Sequence, residues 1–318
     1  MAYEKEKEVA IAAVTAATVI CQQVRGGITP EAIEKKDKSP VTIADFGAQA
    51  IVCKVLNEVF PSDPVVGEET ATELATPELA EQLSKVTHYV QAVLPEATNK
   101  NVIDWINHGN GEVSPRYWTL DPIDGTKGFL RGDQYAVALA MVEEGDIKVG
   151  VLGCPALTIG DYNGVLFVAV RGEGAVMMAL DGSNPQKIAV TTEPDSGNFR
   201  FVESVEHGDK ELHASIAEAV GIKSDSVRMD SQAKYGAVAS GEAVLYLRLP
   251  SAKYPNYKEK IWDHAAGVLI TEEAGGRVTD MHGRTLDFSK AARLNDNRGI
   301  VVSNGVIHDQ VLTALQTA

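Results

Sequence analysis

RYWTLDPIDGTKGFLRGDQYAVALAMVEEGDIKVGVLGCP, residues 116–155, sets the architecture of the chain. Its first six residues read as a strand that stops at a Pro/Gly turn. From 135, an apolar run, the turn EEGD and a second apolar run ending at 155 read as a β-hairpin. GVLFVAV (164–170) and GAVMMAL (174–180) form another, around Arg171-Gly172-Glu173. Upstream, Val9, Ala13, Ala16, Ala17, Ile20 and Val24 recur at helical spacing, and Gly26-Gly27 stops that helix. A second helix is expected from about Thr42 to Phe60, between Pro40 and Pro61. DPVVGEET (63–70) reads as a short strand and turn, and 71–112 is polar with helical pieces. Helices followed by an antiparallel sheet make the first part an α+β pattern.

The rhythm changes near 199. FRFVES, SVRMD, AVLYLRL and GIVVS read as strands, separated by helical stretches at 208–220, 231–240 and 262–274, with a last helix at the end. Alternating β and α predicts an α/β second part. The boundary is expected in the Gly/Ser/Asn/Pro-rich stretch 181–198, dividing the chain into units 1–190 and 191–318.

The chain has 318 residues, 44% of them hydrophobic and 23% charged, within the globular range. Lys plus Arg is 29 against 44 for Asp plus Glu, a formal charge of −15. So acidic a chain carries no general footprint for nucleic acid or an anionic membrane surface. An anionic ligand would need a metal ion or a local basic pocket. No apolar stretch is expected to reach the length of a membrane span, and MAYEKEKEVA does not read as a secretory signal. Cys21, Cys53 and Cys154 are few, far apart and in apolar surroundings, with no C-x-x-C, which predicts buried free thiols and a cytoplasmic location.

Asp121-Pro122-Ile123-Asp124-Gly125-Thr126 closes the strand of 116–121. Pro122 fixes its own φ and Gly125 permits a tight turn. Such a turn can aim two carboxylates and a carbonyl to one side, as a hard cation such as Mg²⁺ requires. It can equally be a surface Asp-Gly turn. Glu68-Glu69, after the apolar Val65-Val66-Gly67, is either a solvated pair or a metal bridge. Asp45 and Asp263 each fall at a helix start, where a carboxylate is favoured by the free N–H groups anyway. Of the basic and polar residues, Lys127 and Arg131 follow the hexapeptide, Ser231, Gln232 and Lys234 open a helix, and Arg248 lies inside an apolar strand. That arginine either snorkels to solvent or pairs with a phosphate. No P-loop is present, and RGEGAV lacks the third glycine of a dinucleotide loop.

V-V-G-E-E (65–69), D-P-I-D-G-T (121–126) and W-D-H-A-A-G (262–267), in this order, resemble the lithium-sensitive, Mg²⁺-dependent phosphomonoesterase superfamily of inositol monophosphatases. Lys38-Ser39-Pro40-Val41-Thr42, D-S-Q-A-K-Y (230–235), Y-L-R-L-P (246–250) and E-K-I-W-D-H-A-A-G (259–267) look like its 3′(2′),5′-bisphosphate nucleotidase branch, in particular the fungal enzymes linked to salt tolerance. The resemblance runs from about residue 5 to 315. It implies a layered αβαβα fold with the site between the two units. It implies metal ligation by Glu68, Asp121, Asp124, Asp263 and the Ile123 carbonyl. Asp45 and Thr126 would activate the nucleophilic water. Gly125, Thr126, Ser231, Lys234, Arg248 and Asp263 would contact the substrate. Relatives carry a His after V-E-x-G; here V-E-H-G-D occupies 205–209, so His207 enters as the nucleotide contact, two residues early.

The implied chemistry is hydrolysis of the 3′-(or 2′-)phosphate of adenosine 3′(2′),5′-bisphosphate to AMP and phosphate. Two or three Mg²⁺ would neutralise the phosphate and acidify water, Li⁺ would inhibit, and the sulfated nucleotide could serve as a further substrate. The expected partner is a small nucleotide, with no nucleic acid and no membrane, and the expected state a monomer. The alternative is the same chemistry on an inositol phosphate. Against a plain inositol monophosphatase stands the long stretch from Glu68 to Asp121. A catalytically dead sensor would lack part of this constellation, and none of it is missing.

Overall fold

The computed structural model describes residues 2–27, 32–34, 40–193, 198–206, 210–251 and 253–317. The elements are α1 (Glu4–Gly27), β1 (Ala32–Glu34), β2 (Pro40–Thr42), α2 (Ile43–Val59), β3 (Val65–Gly67), α3 (Ala80–Gln91), α4 (Asn99–His108), β4 (Arg116–Asp124) and α5 (Thr126–Arg131). Then come β5 (Ala136–Glu143), β6 (Asp146–Ile159), β7 (Tyr162–Val170), β8 (Gly174–Ala179) and β9 (Gln186–Ile188). The rest is β10 (Phe201–Glu203), α6 (Lys210–Ala219), β11 (Val227–Arg228), α7 (Ala233–Ala239), β12 (Leu245–Arg248), α8 (Ala265–Glu273), β13 (Arg277–Thr279), β14 (Ile300–Ser303) and α9 (His308–Thr317).

Strands β3 to β9 lie in chain order in one seven-stranded sheet. Strands β5 and β7 are buried on both faces, which is why they read as unbroken apolar runs rather than alternating ones. Val137, Leu139 and Met141 of β5 point into the core shared with α1 and α2, whereas Ala136, Ala138 and Ala140 face the opposite core. That alanine face lets α8 lie close against β5 and β6. A second, five-stranded sheet runs in the order β11-β10-β12-β14-β13. Tyr246, Ile300 and Val302 face the central core, while Leu245, Leu247 and Val301 face an outer one. Helices α6 and α9 close that outer side, and α7 and α8 lie between the two sheets. The layers are therefore helix, sheet, helix, sheet, helix, the αβαβα arrangement expected.

Four features differ from the sequence reading. Strand β3 pairs with β4 in parallel, so the first sheet is not wholly antiparallel; the long helical excursion 68–115 allows the crossover. The second sheet is mixed: β10 runs parallel to β11 and β12, but β12 and β13 are antiparallel to β14. The three-residue strands β9 and β13 carry too little pattern to be seen in sequence. Finally, among the described residues α1 is long and apolar enough to cross a membrane. Here it buries Ala10, Ala13, Val14, Ala17 and Ile20 against α2 and the first sheet.

Candidate active site

The carboxylates converge because of how two strands end. Gly67 of β3 stands beside Leu120 of β4, and the Glu68 N–H donates to the Leu120 carbonyl at 3.1 Å. Glu68 is thereby placed alongside Asp121. Buried Gln49 of α2 secures the next residue, accepting from the Glu69 N–H at 3.0 Å.

In a regular strand, Asp121 and Asp124, three apart, would point to opposite faces. Opposite them, however, Asp121 pairs with Ala138 and Asp124 with Ala136, so β4 carries one extra residue between the pairs. This bulge changes the parity, and both carboxylates face the central layer. Gly125 then turns the chain at φ 87°, with Ser231 so near that a Cβ would come within 3.1 Å of its Cβ. Only glycine suits both conditions.

A cavity of about 370 Å³ opens at this point. Glu68, Asp121, Asp124 and Asp263 line it together with Ile123, Thr126, Ser231, Lys234 and Arg248. Burial pushes Asp121 well above the usual carboxylate range, and neighbouring Glu68, Asp124 and Asp263 add to it. Burial likewise raises Asp263 strongly in spite of Arg248, and raises Asp124 against the pull of Lys234 and Arg248. Carboxylates gathered this way repel unless positive charge joins them. The donor set is all oxygen, which fits a small hard divalent cation.

Asp45 does not line the cavity; it is fully buried in the first turn of α2. There it closes a capping box, its Oδ2 accepting from the Thr42 N–H at 2.7 Å and the Thr42 hydroxyl at 2.6 Å. Its Oδ1 lies 3.3 Å from Thr126 Oγ1, which is also 3.2 Å from the Ile123 carbonyl. The Thr126 hydroxyl has one proton for these two acceptors, which leaves its lone pairs free to accept from another donor.

The second half of the chain supplies further residues of the cavity lining. Ser231, at φ 65°, caps the backbone ahead of α7, its Oγ accepting from the Ala233 N–H at 3.1 Å. Gln232, read in the sequence only as opening a helix, also lines the site. Its N–H donates to Asp124 Oδ2 at 2.6 Å, its amide donates to the Trp262 carbonyl at 2.8 Å, and its side-chain oxygen accepts from the Gly267 N–H at 3.1 Å. It thus ties Asp124 to the turn that carries Asp263. Lys234 is buried, 5.0 Å above the Tyr246 ring, and burial pulls its pKa down to about 8. Arg248 is no snorkelling residue: its Nε donates to Glu259 Oε2 at 2.8 Å. Burial works against ionisation of Glu259, but Arg248 and His264 outweigh it and hold the carboxyl down at about 2. At the rim, Arg131 bonds Glu206 and Asp230, and Lys127 approaches Glu206 at 3.4 Å. Lys38, Ser39 and His207 lie outside the described residues.

Gln232, Tyr235, Tyr246 and Glu259 fall inside the motifs quoted from the sequence, but their roles were not legible there, because a tie between two elements distant in sequence leaves no local pattern.

The inositol monophosphatase family matches residues 3–318, and the chain belongs to it. Family members are generally metal-dependent. Among its relatives, the 3′(2′),5′-bisphosphate nucleotidase of Emericella nidulans is 41% identical, over 99% of this chain and 99% of that protein. That of Schizosaccharomyces pombe is 40% identical over 99% and 96%, and that of Oryza sativa 42% over 99% and 95%. The fold matches a solved IMPase of Thermotoga maritima at a TM-score of 0.68 and 21% identity, covering 98% of this chain and 97% of that one. A bacterial family member from Bacteroides thetaiotaomicron gives 0.64 and 22%, covering 96% and 98%.

Proposed function

We propose that this chain is a Mg²⁺-dependent 3′(2′),5′-bisphosphate nucleotidase that converts adenosine 3′(2′),5′-bisphosphate to AMP and phosphate. The observation that carries the reading is the gathering of unlike charges in one cavity. Four carboxylate side chains, those of Glu68, Asp121, Asp124 and Asp263, and Ile123 line a nucleotide-sized cavity together with Lys234 and Arg248. The names of relatives about 40% identical over nearly the whole chain point the same way.

Glu68, Asp121, Asp124, Asp263 and the Ile123 carbonyl would hold two or three Mg²⁺. Bound there, Mg²⁺ supplies positive charge to the phosphate and makes water more acidic. Thr126 Oγ1 accepts the proton of the attacking water as it passes its own to Asp45 Oδ1 behind it. Water oxygen bonds to phosphorus, the bond from phosphorus to the ribose oxygen breaks, that oxygen takes a proton from solvent, and the nucleotide keeps its 5′-phosphate. Lys234 and Arg248 bind that 5′-phosphate side of the substrate, Ser231 and Gly125 shape the floor, and His207 remains a proposed contact. Unit 1–190 supplies Glu68, Asp121, Ile123 and Asp124, and unit 191–318 supplies Asp263 with Ser231, Lys234 and Arg248. The three cysteines are free and buried, which supports a cytoplasmic location; a monomer is the proposed state.

The test is phosphate release from adenosine 3′,5′-bisphosphate, its sulfated derivative, inositol 1,4-bisphosphate and inositol monophosphate. Each is run with Mg²⁺, with and without Li⁺. The adenosine bisphosphate should have the highest kcat/KM, and Li⁺ should suppress it. Faster turnover of an inositol phosphate would assign the cavity to that substrate instead.

A further inference from the structure

Arg248 stands between two carboxylates. Its Nε is 2.8 Å from Glu259 Oε2, while its Nη2 is 4.0 Å from Asp263 Oδ2. Glu259 is 9% exposed and is held from behind. His264 Nε2 lies 3.3 Å from the same Glu259 oxygen, and His264 Nδ1 lies 2.7 Å from the Tyr235 hydroxyl. Tyr235 is itself fixed by packing edge-on against Tyr246, ring centres 5.3 Å apart. A buried chain Tyr235–His264–Glu259 therefore ends on the guanidinium that faces the cavity. None of Tyr235, His264 or Glu259 has a part in the hydrolysis proposed above.

We propose that Glu259 is a positioning residue that holds the Arg248 guanidinium off Asp263 and so keeps Asp263 available to a divalent cation. This rests on the metal-site reading given under Proposed function. A guanidinium has a planar fork of donors that matches a carboxylate two to two. Arg248 already lies within ion-pair reach of Asp263, and a small side-chain rotation would join them fully. What opposes that rotation is the shorter bond from Nε to Glu259. With the Glu259 charge removed, Asp263 becomes the nearest anionic partner for Arg248, and an Arg248–Asp263 pair competes with the cation for the same oxygens. Glu259, Asp263 and His264 do bring possible ligand atoms within 4.8 Å of one another. Yet Glu259 Oε2 already serves Arg248 and His264, so Glu259 acts as an anchor rather than a ligand.

The test measures Mn²⁺ binding to the whole metal-free protein by electron paramagnetic resonance, without substrate, so that no activity is involved. Glu259→Gln should weaken Mn²⁺ binding roughly tenfold or more, the usual cost of disturbing a group behind a ligand. Glu259→Asp, which keeps the charge, should restore most of it and also guards against a folding defect in the glutamine variant. Arg248→Ala alone should bind Mn²⁺ at least as tightly as the parent. The deciding comparison is the pair Glu259→Gln/Arg248→Ala: with no guanidinium to collapse onto Asp263, binding should return to about the level of Arg248→Ala. Unchanged binding in Glu259→Gln overturns the inference. So does a double variant as weak as Glu259→Gln, which would make Glu259 a ligand itself. Binding that is indifferent to Asp124→Asn would remove the metal site, and this inference with it.

Discussion

The Thr126 hydroxyl lies 3.3 Å from Asp45 Oδ1, although the two residues are 81 positions apart and on different elements. The other Asp45 oxygen is spent on the α2 cap. One carboxylate thus serves folding with one oxygen and the site with the other. Thr126→Ala should leave the melting temperature nearly unchanged and lower kcat by about 10²–10⁴-fold, the range for loss of a general acid–base group. Asp45→Asn should lower kcat comparably and also destabilise the protein, by ~1 kcal/mol for the weakened cap. Circular dichroism melts beside turnover measurements separate the two effects.

Asp124→Asn keeps an oxygen for the Gln232 N–H but gives a neutral and poorer Mg²⁺ ligand. The variant should fold and lose most activity. Near-normal turnover in a folded Asp124→Asn protein would remove Asp124 from the metal site.

Chelation should bare the repulsion among the carboxylates. Asp121, Asp124 and Asp263 are raised in the folded protein, so there they bind more protons than in the unfolded chain. Their contribution to stability without metal is therefore lost as pH rises through the raised folded values. The melting-temperature gap between Mg²⁺-containing and EDTA-treated protein should widen from pH 5 to pH 8. A gap constant over that range would contradict the carboxylate cluster.

Lys234, held down at about 8 by burial, should lose its charge above that pH in the free enzyme. The value of kcat/KM for the bisphosphate nucleotide should then fall above about pH 8. In Lys234→Arg, whose side chain stays protonated, that descending limb should disappear. An identical limb in the variant would assign it to another group.

Helix α8 approaches Tyr235 through Gly267, where a Cβ would come within 2.4 Å of Tyr235 Cγ. Tyr235 is fully buried and cannot retreat. Gly267→Ala should cost about 1–3 kcal/mol of stability, as overpacking of a filled core does. Urea denaturation measures it directly.

Much of this arrangement was legible in the sequence for local reasons. The helices α1 and α2 and the strands β4 to β8 are long enough for periodicity to declare them. Asp121-Pro122-Ile123-Asp124-Gly125-Thr126 compresses a bulge, a turn and a helix start into six residues. Arg248 marked itself by being charged inside an apolar strand. What pattern could not convey is pairing. The parallel docking of β3 on β4, the tie made by Gln232 and the anchoring of Arg248 by Glu259 all depend on residues that meet only after the layers assemble. Asp45 shows the other limit, since its cap and its approach to Thr126 look alike in sequence.

The seven-stranded sheet is built entirely from residues 65–188, in chain order. During synthesis from the N-terminus, Glu68, Asp121 and Asp124 can be brought together before Lys234, Arg248 and Asp263 leave the ribosome. A chain folded only that far would hold a knot of negative charge without Lys234 or Arg248 to balance it and without Gln232 to steady it. Protons or a borrowed cation would then have to quiet that charge in the interim. On that account the supply of divalent cations would bear on how smoothly the nascent chain matures, before any substrate is encountered.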